Sequence, residues 1–194
     1  MRVLVACESS GTVRNAFAAR GHDAWSCDLL PAEGQHYQCD VREVLGLGWD
    51  LMIAHPPCTY LCSMGIWWNH KRPERWQETY AAAEFVKLLW DAPIAKVAIE
   101  NPVGYLSNNW RKPNQVINPW QFGHEANKPT CLWLRGLPNL TPTKVVGKGE
   151  FYVKANGHRM SKWSHITSGT RADRWKIAAT TFAGIAQAMA EQWG

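Results

Sequence analysis

His55-Pro56-Pro57-Cys58 sets a thiol directly after two prolines. Proline fixes φ and donates no backbone N–H, so the pair stiffens the chain and holds the thiol clear of the segment before it. A thiolate is a strong nucleophile, and a helix N-terminus nearby would favour it. Further on, Glu100-Asn101-Pro102 offers a carboxyl with an amide beside it. The apolar neighbours Ile99 and Val103 would raise its pKa by desolvation, making it a general acid that Asn101 orients. A thiol and a carboxyl facing one cleft could perform covalent catalysis with acid assistance. Each alone is ordinary: a Cys after a strand is more often structural, and an acid at a strand end is often only solvated or capping.

Two more acids have a binding chemistry. The first strand–turn–helix, over residues 2–20, holds only Gly11 where a dinucleotide fingerprint needs three glycines. A pyrophosphate is disfavoured there, and a cofactor without phosphates is favoured. Asp28 ends the second strand, where a carboxylate grips a ribose diol. Asp40 ends the third and could accept from an adenine amino group.

The elements that must position these groups follow from the apolar pattern. Arg2–Cys7, His22–Cys27, Trp49–His55, Ile94–Ile99 and Thr130–Leu134 are short apolar runs that predict buried strands. Tyr37–Cys39 is a further short strand. Val13, Ala16 and Phe17 predict a helix stopped by Gly21. Pro73–Trp90 is helical, with Trp76, Tyr80, Ala83, Val86 and Trp90 on one face, and Gly184–Gln192 is the last helix. Alternating strands and helices imply an α/β fold, a mostly parallel sheet with helices on both faces. Its ligands lie beyond the carboxyl ends of the strands, where Glu8, Asp28, Asp40, His55 and Glu100 all fall. Residues 141–173 show no periodicity and read as a long loop.

The 194 residues suit a single domain with one sizeable core. The net charge of +5 is compatible with a polyanionic partner but modest for a dedicated nucleic-acid binder. No run of about 18 apolar residues predicts a membrane span. The N-terminal apolar stretch is too short for a secretory signal, so a cytoplasmic location is expected. Six cysteines in such a chain do not suggest a disulfide framework. Cys58 and Cys62, even with His55 and His70, lack a second pair at zinc spacing; neither metal nor disulfide is expected. Among 12 Trp, Trp67 and Trp68 cannot both face one core. With Lys71 and Arg72 they would stack and neutralise nucleic acid. Trp110, Trp120, Trp163 and Trp175 are further stacking candidates.

Pro-Pro-Cys after one strand and Glu-Asn after the next resembles the C5-cytosine DNA methyltransferase family, whose pattern is P-P-C followed by E-N-V. The family's cofactor turn, F-x-G-x-G-G, falls on Cys7–Thr12, its ribose acid on Asp28 and its adenine-side acid on Asp40. Its Phe-Gly and Q-x-R-x-R stretch falls on Phe122-Gly123 and Ala126–Thr130, and its G-N-A-V-P-P segment on Ala179 through Ala186. The chain is similar, more closely, to compact phage and prophage proteins labelled cytosine methyltransferases. That likeness is densest around Trp25–Pro31, Asp50–Leu61, Ala98–Tyr105, Trp110–Gly123 and Ile185–Gly194. Departures are Ser9 and Thr12 for two glycines, Ala126 and Thr130 for the glutamine and second arginine, and Thr180 for the asparagine. The large target-recognition domain is missing, leaving residues 135–178 as a reduced loop region.

The resemblance implies a Rossmann-like, S-adenosylmethionine-dependent methyltransferase domain over residues 1–194. S-adenosyl-L-methionine would be held by Glu8, Ser9, Gly11, Asp28, Asp40, Val41, His55, Pro57, Thr180 and Thr181. Cys58 would attack C6 of cytosine, and Glu100, oriented by Asn101, would hydrogen-bond N3 and the exocyclic amine. Lys128 and Thr130 would contact the substrate. The expected partner is DNA, with single strands a candidate because a duplex base must be flipped out. Two alternatives stand beside it: a free cytidine nucleotide as substrate, and a non-catalytic nucleic-acid-binding relic.

Overall fold

The computed structural model describes residues 1–194 except 154, 158 and 168–173, and only the backbone of 174–176. Strands β1 (Arg2–Ala6), β2 (Asp23–Asp28), β3 (His36–Gln38), β4 (Leu51–Ala54), β5 (Lys96–Pro102), β6 (Gln115–Ile117) and β7 (Thr130–Arg135) form one sheet. Its order is β3-β2-β1-β4-β5-β7-β6. The first five strands in that order run parallel, and β7 runs antiparallel to both neighbours.

The β1 side chains alternate between two cores, as a strand buried on both faces must. Val3 and Val5 join Leu51, Ile53 and Ala98 under α1 (Thr12–Ala18) and α7 (Ala183–Trp193), where Phe17 and Met189 are fully buried. Leu4 and Ala6 join Met52, Val97 and Ile99 under α3 (Trp76–Trp90), through Ala83, Val86 and Leu89. Each fully buried side chain of that size contributes about 1.5–3 kcal/mol. The mixed α/β, Rossmann-like architecture agrees with the sequence reading.

Several local expectations change. Residues 63–71, for which no apolar pattern predicted an element, form a helix, α2 (Ser63–Lys71), so Trp67 and Trp68 are helical. Strand β5 continues through Glu100-Asn101-Pro102 instead of ending before them, because β7 pairs with it that far, Pro102 opposite Thr130. Tyr80 lies on the solvent face of α3, and Thr79 takes its place inside. The expected loop at 141–173 contains a hairpin, β8 (Phe151–Val153) and β9 (Arg159–Ser161), then α5 (Lys162–Ile166). Strands of three residues are too short to print an alternation. Lys154 and the Trp175 side chain lie outside the described residues. Two short helices, α4 (Tyr105–Asn109) and α6 (Arg174–Ala179), complete the chain. Among the described residues no helix is long and apolar enough to cross a membrane.

Candidate active site

The carboxyl ends of β4 and β5 build the site. The His55 amide donates to the Ala6 carbonyl at 2.9 Å, carrying the sheet one residue past β4. Past the two prolines, the Cys58 carbonyl accepts from the amides of Leu61 and Cys62, both at 3.0 Å, and this turn presents Cys58 to solvent. Asn101 does not orient Glu100, as its position suggested. It is buried, and its Nδ2 donates to the Pro56 carbonyl at 2.9 Å, tying β5 to the Pro-Pro-Cys turn. An orphaned buried carbonyl would cost about 1–3 kcal/mol. Cys62 is also structural: its Sγ accepts from the Gly65 amide and caps α2.

Glu100 is the hub. Its Oε2 lies 3.2 Å from Nδ1 of His55, the Lys128 ammonium acts on it by its charge, and Thr130 of β7 lines the same small void, its hydroxyl donating to the Lys128 carbonyl at 3.1 Å. Burial, the largest single influence, opposes ionisation, but the His55 hydrogen bond, the Lys128 charge and Thr130 together hold its pKa below the ordinary carboxylate value. The expected rise is therefore reversed, because polar partners surround the carboxyl that Ile99 and Val103 were expected to desolvate. Lys128 itself donates to the Ala178 carbonyl at 2.9 Å and lies 5.7 Å over the Trp163 ring.

Cys58 belongs to the same cluster. Desolvation, then Cys62 and Glu100, push its thiol up to about 11, with Lys128 pulling the other way. The expectation of a favoured thiolate fails because α2 begins only at Ser63, capped by Cys62, while Glu100 raises the thiol pKa more than Lys128 lowers it.

A cleft of 540 Å³ runs along the strand ends, bordered by Cys7, Ser9, Asp28, His55, Thr180 and Thr181. A second cavity of 270 Å³ is bordered by Cys39, Asp40, Val41, Pro57 and Phe85. Cys7 and Asp28 line both, so the two meet at Asp28. Asp28 Oδ1 accepts from the Leu30 amide at 2.9 Å; among the described residues its second oxygen has no hydrogen bond. Thr181 borders the larger cleft and also a small void shared by Glu100, Lys128 and Thr130. The cofactor side and the Cys58 side thus adjoin.

This donor set fits a nucleoside carrying an amino-acid tail. The half-apolar slot between Val41, Pro57 and Phe85 suits a purine ring, Asp28 at the junction suits a diol, and the wider cleft with its hydroxyls suits a zwitterionic tail. Cys7 turns the chain with φ 59°, a conformation L residues seldom adopt. Gly11 is buried at φ +70°, and a Cβ there would lie 2.4 Å from the Arg14 guanidinium. Glu8, which lines the cleft, also has a structural task. Oε1 accepts from Val13 N and Ser10 Oγ, and Oε2 from Arg14 N, so its carboxylate caps α1 although it borders the cleft. Asp40 likewise caps a 3₁₀ turn by accepting from Arg42 N, with its second oxygen 3.3 Å from Arg42.

The aromatic candidates separate. Trp67 and Trp68 are 50% and 43% exposed, packed edge to face, with Lys71 and Arg72 over their rings. Trp110 packs between Trp90 and Trp133, Trp163 packs on Phe182, and Trp120 is half-buried. The pairing of His55 with Glu100, and Phe85 as a wall of the slot, had no signal in the sequence, since both depend on strand register and helix packing.

Seven strands with these strand-end sites give a Rossmann-like α/β fold. No protein-family model matches the chain, and no curated protein sequence matches it. Three solved structures are similar. A prophage-encoded E. coli protein assigned as a DNA modification methyltransferase has a TM-score of 0.48 and 12% identity, over 75% of this chain and 51% of that one. The Dnmt2 methyltransferase of S. pombe scores 0.42 at 14% identity, over 72% and 50%. A mutant DNMT2 of Spodoptera frugiperda scores 0.47 at 12% identity, over 75% and 54%. The chain spans about half the length of each.

Proposed function

We propose that this protein is a methyltransferase that transfers a methyl group from S-adenosyl-L-methionine to C5 of cytosine in DNA, with Cys58 as nucleophile. The observation that carries the reading is the cluster itself: Cys58, Glu100 and the Lys128–Thr130 segment act on one another electrostatically, and His55, paired with Glu100, lines the cleft that Asp28 also borders. The bound cofactor supplies an electrophilic methyl group.

The residues supply the rest. Attack of the Cys58 sulfur on C6 turns C5 into an enamine-like carbon, splitting one difficult step in two. Ionised Glu100 accepts from the 4-amino group. The proton that the Cys58 thiol gives up in the attack is held between N3 and the Glu100 carboxylate. Lys128 offsets negative charge that develops on the ring. Loss of the C5 proton to water then restores the double bond and expels the Cys58 thiolate, which takes back the proton held between Glu100 and N3.

DNA carrying 5-fluorocytosine tests this, because fluorine blocks the final elimination. A covalent adduct that survives denaturing electrophoresis is expected when the methyl donor is present. Cys58→Ser should abolish it. Cys62→Ser should retain it, since serine also caps helices well. An adduct dependent on Cys62, or turnover by Cys58→Ser, refutes the assignment of nucleophile.

A further inference from the structure

Beyond the cluster lies a cavity of 390 Å³ that the reaction does not use. Three rings border it: Trp76 lies 6.0 Å from Tyr80 and 6.4 Å from Tyr105, and Tyr80 lies 6.5 Å from Tyr105. Trp76 and Tyr80 are near-parallel, at 24°. Tyr80 is 53% exposed, off the buried face of its helix that Thr79 joins. Asn108 and Asn109 close the opposite wall. Asn109 Nδ2 donates to the Tyr105 carbonyl, which leaves its amide oxygen to accept from a ligand, and Asn108 is exposed.

The cavity is tied to the Cys58 turn by backbone. Cys62 and Gly104 form a β-bridge, and the Tyr105 amide donates to the Leu61 carbonyl at 2.7 Å. Leu61 and Cys62 are the residues whose amides hold the Cys58 carbonyl. At the bridge Gly104 is obligatory: a Cβ would sit 2.1 Å from the Leu61 carbonyl oxygen. In sequence, Lys71, Arg72 and Arg75 precede α3 and Arg111 and Lys112 follow α4, with the Arg111 guanidinium over the Trp90 and Trp110 rings.

We propose that this aromatic cavity binds a second nucleobase, the neighbour of the target cytosine on the same strand. Flat rings with amides at the edge suit a heteroaromatic base with polar edges. The inference rests on the proposed function for its target base, but its residues are distinct from that site. An apolar peptide side chain would find no use for the two amides.

Binding of three single-stranded probes tests it: deoxycytidine monophosphate, a trinucleotide with cytosine in the middle, and the same trinucleotide with abasic flanks. The intact trinucleotide should bind about 5- to 150-fold tighter than the abasic one, the equivalent of one stacked base. Tyr80→Ala, on the solvent face of α3, should erase that difference while leaving binding of the monophosphate unchanged. Tyr80→Phe, which keeps the ring, should restore it. Equal affinity for intact and abasic trinucleotides overturns the proposal, as does a difference that survives Tyr80→Ala. If the native protein forms a 5-fluorocytosine adduct and the flanks still add nothing, only the second site falls. If it binds no probe and forms no adduct, both readings fall.

Discussion

Cys58 is a neutral thiol in the resting cleft, since its pKa stands near 11. Its thiolate fraction grows tenfold per pH unit below that value, so the rate of adduct formation with 5-fluorocytosine should rise about tenfold per unit between pH 6 and 9. A plateau below pH 8 would show that the base or the cofactor lowers the thiol pKa on binding. Lys128→Ala should slow trapping throughout this range, because Lys128 is the group that pulls the thiol pKa down. Glu100 works in the opposite sense. Its folded pKa is depressed, so its ionised form stabilises the fold above the ordinary carboxylate value, and that contribution is lost as pH falls through the folded value. Asp28 offers a separate test of the cofactor reading. Asp28→Ala should weaken S-adenosylmethionine binding by about 1.5–3 kcal/mol in calorimetry, the worth of hydrogen bonds to a charged group; no loss removes Asp28 from the site. The types of these residues were legible in the sequence, and their partners were not. Whether Asn101 faces Glu100 or Pro56 depends on alternation along β5, which the strand's true end decides.

Among the elements, the seam where α2, α4 and the Cys58 turn meet controls how the thiol is held. It consists of the Cys62–Gly104 bridge and the Tyr105-to-Leu61 hydrogen bond. A Cβ on Gly104 would meet the Leu61 oxygen at 2.1 Å and the Cys62 Cα at 2.9 Å, backbone atoms that cannot rotate away. Gly104→Ala should therefore part the seam, lowering stability by about 1–3 kcal/mol, as overpacking does, and cutting the trapping rate more than S-adenosylmethionine affinity. The cofactor cavities lie elsewhere, so calorimetry on the same variant separates misplacement of Cys58 from general unfolding. The long strands and α3 were readable because runs of five or more residues show their period. Helix α2 was not, because its sequence, Ser63–Lys71, has polar and apolar residues on every side. Nor was the reversal of β7, since an apolar run carries no mark of direction.

For the whole molecule the question is which surface would carry a nucleic-acid strand on the proposed reading. The net charge is +5, and the basic residues are not equally available. Lys162 is paired with Glu150 at 2.9 Å, and Lys148 lies 5.4 Å over the Trp120 ring. Lys71 and Arg72, by contrast, are exposed, without an acidic partner among the described residues, and sit over Trp67 and Trp68 at the surface. That platform lies at the end of the helix that begins beside the Cys58 turn, so on the proposed reading it is the surface to test for contact with the strand. If it holds two phosphates of single-stranded DNA, each contributes about 0.7 to the slope of log affinity against log salt. Changing both Lys71 and Arg72 to Gln should flatten that slope by about 1.4. Lys162→Gln should leave it nearly unchanged, because Glu150 already neutralises that charge. Titrations of a single-stranded oligonucleotide at several salt concentrations measure both. Equal flattening by the two variants would mean that the basic surface binds DNA diffusely, and an unchanged slope in the double variant would remove α2 from the DNA path.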